Sequence, residues 1–175
     1  MENKLNIFAK AMDKLGRRRV ITERDSDVPY LVRYYLFLKN RKHFPFNITL
    51  HKVLVSDVAV LHDHPWSYAT LILKGGYWEH IPIRSLEGNV CGSTRVWRGP
   101  GHFRKRSADD LHWLELAKDA DGNEIPCWSL FFMGRKVKEW GFMRFVQVKD
   151  VKKIHEAGYR WIHNEEYLAR GAKDD

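Results

Sequence analysis

The chain has 175 residues, 44% of them hydrophobic and 30% charged, with a formal net charge of +8. That length supplies one good hydrophobic core and is short for two, so a single domain over residues 1–175 is expected. No apolar run is long enough to cross a bilayer, and Met1-Glu2-Asn3-Lys4 does not open a signal peptide, so the expectation is a cytoplasmic protein without membrane contact.

The basic balance, with a pI near 9.5, favours an anionic partner. The basic residues are dispersed, and only Arg17-Arg18-Arg19 forms a tight cluster. A small anionic molecule is therefore the expected partner. Net charge alone leaves nucleic acid open, because a fold can gather dispersed charges onto one face. Cys91 and Cys127 lack any spacing motif and read as reduced thiols.

In chain order, Leu5, Phe8, Met12 and Leu15 recur at helical spacing, which predicts an amphipathic helix over 4–15 ended by Gly16. A short strand is expected at Val20-Ile21-Thr22, followed by loop chemistry at Asp25-Ser26-Asp27-Val28-Pro29. From Tyr30 to Val137 the apolar runs are short, β-branched or aromatic, and bounded by Gly, Pro, Asn or Asp, an all-β signature. Strands are predicted near 31–38, 47–55, 58–62, 67–74, 77–83, 94–98, 102–106, 111–117, 127–133 and 139–146. Many short antiparallel strands of this kind make a sandwich or a small barrel, with a core at about 30–146. Asp119-Ala120-Asp121-Gly122-Asn123 reads as a polar hairpin loop, and residues 150–169, divided by Gly158, as two short helices.

The chemistry gathers at Leu61-His62-Asp63-His64-Pro65-Trp66. Two histidines one residue apart point to the same side of an extended segment and can share a metal ion. An isolated pair is more often two exposed loop histidines; the third histidine, His112, near another strand-like segment, shifts the balance. Asp63, between them, should point the other way and serve as a supporting carboxylate.

These histidines, with Gly75 and Gly101, resemble the two motifs of the cupin superfamily. The first motif lies on Ser56, His62, His64, Tyr68 and Gly75, the second on Gly101, Ser107, Asp109, His112 and Leu116. Tyr68 stands where a glutamate ligand is usual, and Ser107 and Asp109 replace a Pro and a Gly. The resemblance covers roughly residues 46–133. It implies a single cupin barrel (a double-stranded β-helix, or jelly roll), flanked here by the N-terminal helix and the C-terminal helices, with one divalent metal on His62, His64 and His112. Three neutral imidazoles suit Fe(II), Zn(II), Ni(II) or Cu(II). Among cupins, the thiol dioxygenases hold iron with three histidines, so the resemblance favours Fe(II).

The local likeness to cysteine dioxygenase extends to Phe46-Asn47 and to an upstream arginine that binds the substrate carboxylate, a role Arg33 could take here. Where that family carries a Ser-x-His-x-Tyr strand, this chain has Ser129, Phe131 and Met133, and its crosslinking cysteine would fall at Ala69. Through LHDHPW, LILKGGY, Trp128–Phe132 and Glu139–Phe142 the chain is most similar to small bacterial and phage cupins labelled cysteine-dioxygenase-like. The implied activity is Fe(II)-dependent oxygenation of a small anionic or thiol-containing substrate, with Tyr68 and Arg33 acting on it. The alternative is a redox-inert cupin, a zinc or nickel isomerase or lyase or a metabolite-binding module.

Tyr68 reads equally well as an aromatic packed in the barrel. His51 and His80 could line the pocket, although lone strand histidines are more often filler. Arg95 and Arg104, like Arg33, could bind an anion or simply be solvated, and His102 falls outside the ligand register. A homodimer through an exposed sheet edge is the expected assembly.

Overall fold

The computed structural model describes residues 2–22, 27–40, 44–146 and 158–171. The chain opens with α1 (Glu2–Lys14) and continues through β1 (Arg18–Thr22), β2 (Pro29–Tyr35), β3 (Asn47–Val53), β4 (Trp66–Lys74), β5 (Tyr77–Arg84) and β6 (Val90–Arg98). It goes on through β7 (Phe103–Arg106), β8 (Trp113–Leu116), β9 (Cys127–Lys136), β10 (Gly141–Val146) and β11 (Gly158–His163), and ends in α2 (Asn164–Gly171). A six-stranded sheet in the order β1-β2-β3-β9-β4-β7 faces a three-stranded sheet, β6-β5-β8, and β10 and β11 form a separate hairpin-like pair. Every strand pairing is antiparallel. The all-β barrel read from the sequence is present.

The strands alternate as a sheet with two different environments demands. On the inner side, Leu31, Val53, Ile72 and Cys127 from the large sheet meet Tyr77 and Leu116 from the small one and close one end of the barrel. Burial in this plug pushes the Cys127 thiol up to about 12, so it stays protonated. On the outer side, Val32, Tyr34, Leu50 and Trp128 receive Met12 of α1, with Tyr34 and Trp128 stacked at 6.0 Å. The helix presents Leu5, Ala9 and Met12 to the sheet, whereas Phe8 and Leu15, expected in the same stripe, are 36% and 67% exposed. The helix existed in the hydrophobic pattern, but the angle at which it meets the sheet selected a neighbouring face. Between β4 and β5, Gly75 takes φ +75°, and a Cβ there would lie 2.6 Å from the Pro126 carbonyl. That glycine lets β4 reverse into β5 under the incoming strand.

Three expectations are corrected. Residues 58–62 form no strand; His62 makes only isolated bridges, to His112 and to Phe142. Two side chains there face the site from one short segment, and its backbone is divided between two neighbours. Second, Gly158–His163 is strand β11, paired residue by residue with β10, where a helix was expected. Tyr159 and Trp161 suit a pleated surface, and the partner strand outweighs the weak helical pattern; the expected helix before Gly158 lies outside the described residues. Among the described residues of this stretch, the segment from Asn164 is helical. Third, the 119–123 loop is locally hairpin-like, closed by Asp119 N–H donating to Asn123 O at 2.9 Å. It joins β8 and β9, however, which belong to different sheets. Among the described residues no helix is long and apolar enough to cross a membrane.

Ile72 is 1% exposed at the centre of the inner core. Ile72→Ala is expected to destabilise the protein by about 2–5 kcal/mol in urea denaturation, from lost transfer energy plus a residual cavity. Leu86, fully exposed, serves as the contrast, with Leu86→Ala expected to stay within about 0.5 kcal/mol.

Candidate metal centre

The segment carrying His62 and His64 is held as if it were a strand of two sheets at once. His62 N–H donates to His112 O at 2.9 Å and His112 N–H donates back to His62 O at 3.0 Å. On the other side Met143 N–H reaches Leu61 O at 2.7 Å and Asp63 N–H reaches Gly141 O at 3.1 Å, while His64 N–H reaches Ala108 O at 3.2 Å. Extended backbone sends alternate side chains to opposite sides. His62 and His64 face the interior, and Asp63 faces away, 2% exposed. Its Oδ1 accepts Gly141 N–H at 2.7 Å, and its Oδ2 accepts Lys138 Nζ at 2.7 Å and Trp161 Nε1 at 2.9 Å. The supporting role expected of Asp63 is visible in these contacts. Gly141 is needed at this crossing because a Cβ would fall 2.2 Å from Ile162 O.

The three imidazoles converge, with one ligating nitrogen from each of His62, His64 and His112 lying within 4.8 Å of the others. Nε2 of His64 and Nε2 of His112 are 2.8 Å apart. Two of the tautomers follow from their neighbours. His112 Nδ1 is 3.2 Å from Glu79 Oε1, which can only accept, so Nδ1 carries a proton and Nε2 is the nitrogen left to ligate. His62 Nδ1 is 3.3 Å from the Val60 carbonyl, with the same result. Burial lowers the pKa of His62, only partly offset by Asp57. Burial, followed by the positive fields of His112, His62 and Arg106, lowers that of His64 well below its usual value. Three convergent imidazoles, with Nδ1 of His62 and of His112 turned to acceptors and their Nε2 atoms left free to ligate, are a donor set that fits one divalent metal ion.

The cavity beside this triad has a volume of about 340 Å³. The Tyr68 hydroxyl enters it 2.9 Å from His112 Nε2, and burial, against the pull of Arg106, raises its pKa well above the usual range. Arg33 lines the cavity and donates its Nε to His51 Nε2 at 3.1 Å. That contact makes His51 Nε2 an acceptor, in keeping with a pKa pushed well down by burial and then by Arg33. His51 also stacks on Phe131, which stacks in turn on Tyr68, with ring centroids 4.6 and 5.0 Å apart. A histidine and a tyrosine thus reach the cavity from β3 and β4, not from β9.

Other candidates divide. His80 turns outward, stacked on Trp113 at 3.6 Å and bound to Glu115 Oε2 at 2.8 Å, and Arg95 lies over Trp78 and pairs with the same carboxylate. Neither belongs to the cavity, because outward strand positions face solvent at that end of the small sheet. Arg104 does line it, and so does His102, which the motif register had set aside.

Sequence reasoning missed Glu79, Arg98 and Arg106. Glu79, on β5, is 4% exposed; its Oε2 accepts Arg98 Nε at 2.8 Å and its Oε1 accepts Arg106 Nε at 3.1 Å. Burial alone would raise its pKa, but the hydrogen bond and charge of His112 and those of Arg106 outweigh it and hold the carboxyl well below the usual range. The sequence signal was a lone carboxylate, beside His80, in the mostly apolar run Tyr77–Ile83.

His62, His64 and His51 are harder to protonate in the folded state than in the unfolded chain, where histidine titrates near pH 6.5. Between that value and their lowered folded values the unfolded state binds more protons, so stability falls as pH falls. The Tm of metal-free protein is expected to be lower at pH 5.5 than at pH 7.5, a window in which the depressed Glu79 remains ionised in both states. A Tm that is flat across the window would contradict these burial assignments.

No family model matches the sequence, and a search of curated proteins gives no match. Solved structures do resemble the fold. The DMSP lyase DddQ from Ruegeria pomeroyi DSS-3 aligns over 73% of this chain and 60% of its own, at 14% identity and a TM-score of 0.50. The polyketide cyclase RemF from Streptomyces resistomycificus aligns over 69% of this chain and 79% of its own, at 16% identity and 0.47. The Fe(II) form of HppE in complex with substrate aligns over 67% of this chain and 57% of its own, at 13% identity and 0.48. At these identities the likeness concerns architecture alone: the chain folds as a cupin-like β-barrel.

Proposed function

We propose that the protein is a metal-dependent cupin enzyme, a mononuclear Fe(II) oxygenase of the thiol-dioxygenase kind acting on a small anionic or thiol-containing substrate. The observation that carries this reading is the set of three imidazoles converging within 4.8 Å on the wall of a cavity that is also lined by four arginines. His62, His64 and His112 would hold the metal, which supplies Lewis acidity and, as iron, electron transfer to dioxygen. Zn(II) and Ni(II) suit the same donors.

The chain's own groups divide the remaining work. Tyr68, protonated at neutral pH, donates a hydrogen bond or a proton toward whatever sits beside His112. Glu79 holds the His112 ring in place through Nδ1. Arg33, steadied by His51, supplies positive charge for a substrate carboxylate. Phe131 and Trp66 form apolar walls that limit water. The second reading, a redox-inert zinc or nickel cupin, is favoured by one feature: β9 carries Phe131 and Met133 where the dioxygenases carry histidine and tyrosine. As to assembly, the exposed edges of the large sheet at β1 and β7 would serve the proposed homodimer.

Elemental analysis of untagged protein is expected to show about one metal per chain, lost in the double variant His62→Ala, His64→Ala; full occupancy in that variant would remove these ligands. Oxygen uptake by anaerobically Fe(II)-loaded protein is then measured against thiols and small acids, with His112→Ala as control. Uptake with one of these compounds, reduced at least tenfold in Tyr68→Phe, is the expected result. No uptake above the control, together with native zinc, would select the redox-inert reading.

A further inference from the structure

Strand register sorts the cavity into levels. Tyr68, beside the histidines, is paired with Arg106 across β4 and β7, and with Met133 on β9. One inward step further along, Thr70 pairs with Arg104 and with Phe131. A second step on, Ile72 donates its N–H to His102 O at 3.0 Å and pairs with Ser129, which pairs with His51, which pairs with Arg33. At about 3.4 Å of rise per residue, the Arg104 level lies about 7 Å from the metal level and the Arg33 level about 14 Å.

The donors at these levels are unequally occupied. Arg98 and Arg106 are both committed to Glu79, and Arg33 donates to His51. Asp57, the other carboxylate on the wall, binds the Tyr30 hydroxyl and accepts Leu114 N–H at 2.8 Å. Arg104 has no carboxylate partner among the described residues, and its Nε is buried without a hydrogen bond. The same holds for Nε2 of His102, which lies just before β7 and lines the same cavity. Leaving a buried polar nitrogen unpaired is costly, a cost relieved when an anion accepts from both. Four guanidiniums against two carboxylates leave the cavity wall with surplus positive charge. Burial, with Arg98 and Arg104 nearby, lowers the His102 pKa, so the neutral ring can offer one N–H.

We propose that Arg104 and His102 form an anion subsite that takes a carboxylate or phosphate group of the substrate, one to two strand steps from the three-histidine centre. Resting on the metal reading above, this narrows the substrate to an extended acid whose metal-binding atom and anionic group are separated by about 7 Å. A compact amino acid such as cysteine, with its donor atoms on adjacent carbons, spans too little of that gap.

The test is isothermal titration calorimetry with inorganic phosphate and with glutarate, on metal-free and metal-loaded protein. Phosphate is expected to bind the wild type in both forms and to weaken at least tenfold in Arg104→Gln, with partial recovery in Arg104→Lys. His102→Ala should weaken it by a smaller factor, and glutarate should gain affinity over propionate only when metal is present. Matching thermal melts of the Arg104 variants establish that they are folded; if Arg104→Gln is not, Arg104→Lys and His102→Ala carry the comparison. Absence of phosphate binding to wild type, or a larger loss in Arg33→Gln than in Arg104→Gln, would overturn the subsite. Phosphate binding that depends on Arg104 in protein that takes up no metal would keep the subsite and overturn the metal reading instead.

Discussion

Two reciprocal backbone hydrogen bonds between His62 and His112 hold the site together. Neither residue lies in a strand, yet each satisfies the other's N–H and C=O, as buried backbone requires. The exchange brings the first two imidazoles against the third across a large separation in sequence. It also fixes their phase, because extended backbone at His62 must send His64 inward and Asp63 outward. Asp63 then anchors the opposite side through Gly141, Lys138 and Trp161. Breaking a buried, multiply bonded carboxylate of this kind is costly, so the histidines are aimed by a rigid support as much as by their own packing.

The buried Glu79 does for electrostatics what that bridge does for geometry. Three cationic or potentially cationic groups, His112, Arg98 and Arg106, converge on one carboxylate. Without it the inner wall would gather positive charge in a poorly solvated place, where repulsion is weakly screened. With it, His112 has a defined tautomer and two of the cavity's arginines are neutralised and immobilised. The positive charge left over lies further along the wall, at Arg33 and Arg104. The cavity is thus graded, with compensated charge beside the imidazoles and uncompensated charge at the far end.

The cavity wall on β9 departs from the dioxygenase pattern without being bare. On β9 an aromatic ring, Phe131, replaces a hydrogen-bonding side chain, and it is sandwiched between His51 and Tyr68. Polar groups have moved to the flanking strands while the centre of the wall has become apolar. A site with that distribution grips a ligand at its ends and leaves its middle in apolar contact.

The sequence by itself determined the all-β architecture, the leading helix, most strand positions and the three histidines. Those features are written in local patterns, namely period-two apolar runs, turn residues and the His-Asp-His spacing. Tertiary structure decided what local patterns cannot encode. Trp161 and Ile162 read as part of a helix until β10 offered them a paired edge. His51 and His80, both strand histidines, were indistinguishable in sequence; one became buried against Phe131 and the other stacked outside on Trp113. Glu79, Arg98, Arg106 and His102 carried no motif, and only the register of β5, β6 and β7 turned them toward one cavity. The reason is physical: which face of a strand is inside depends on its partners, and a shift of one residue exchanges every inward side chain for an outward one.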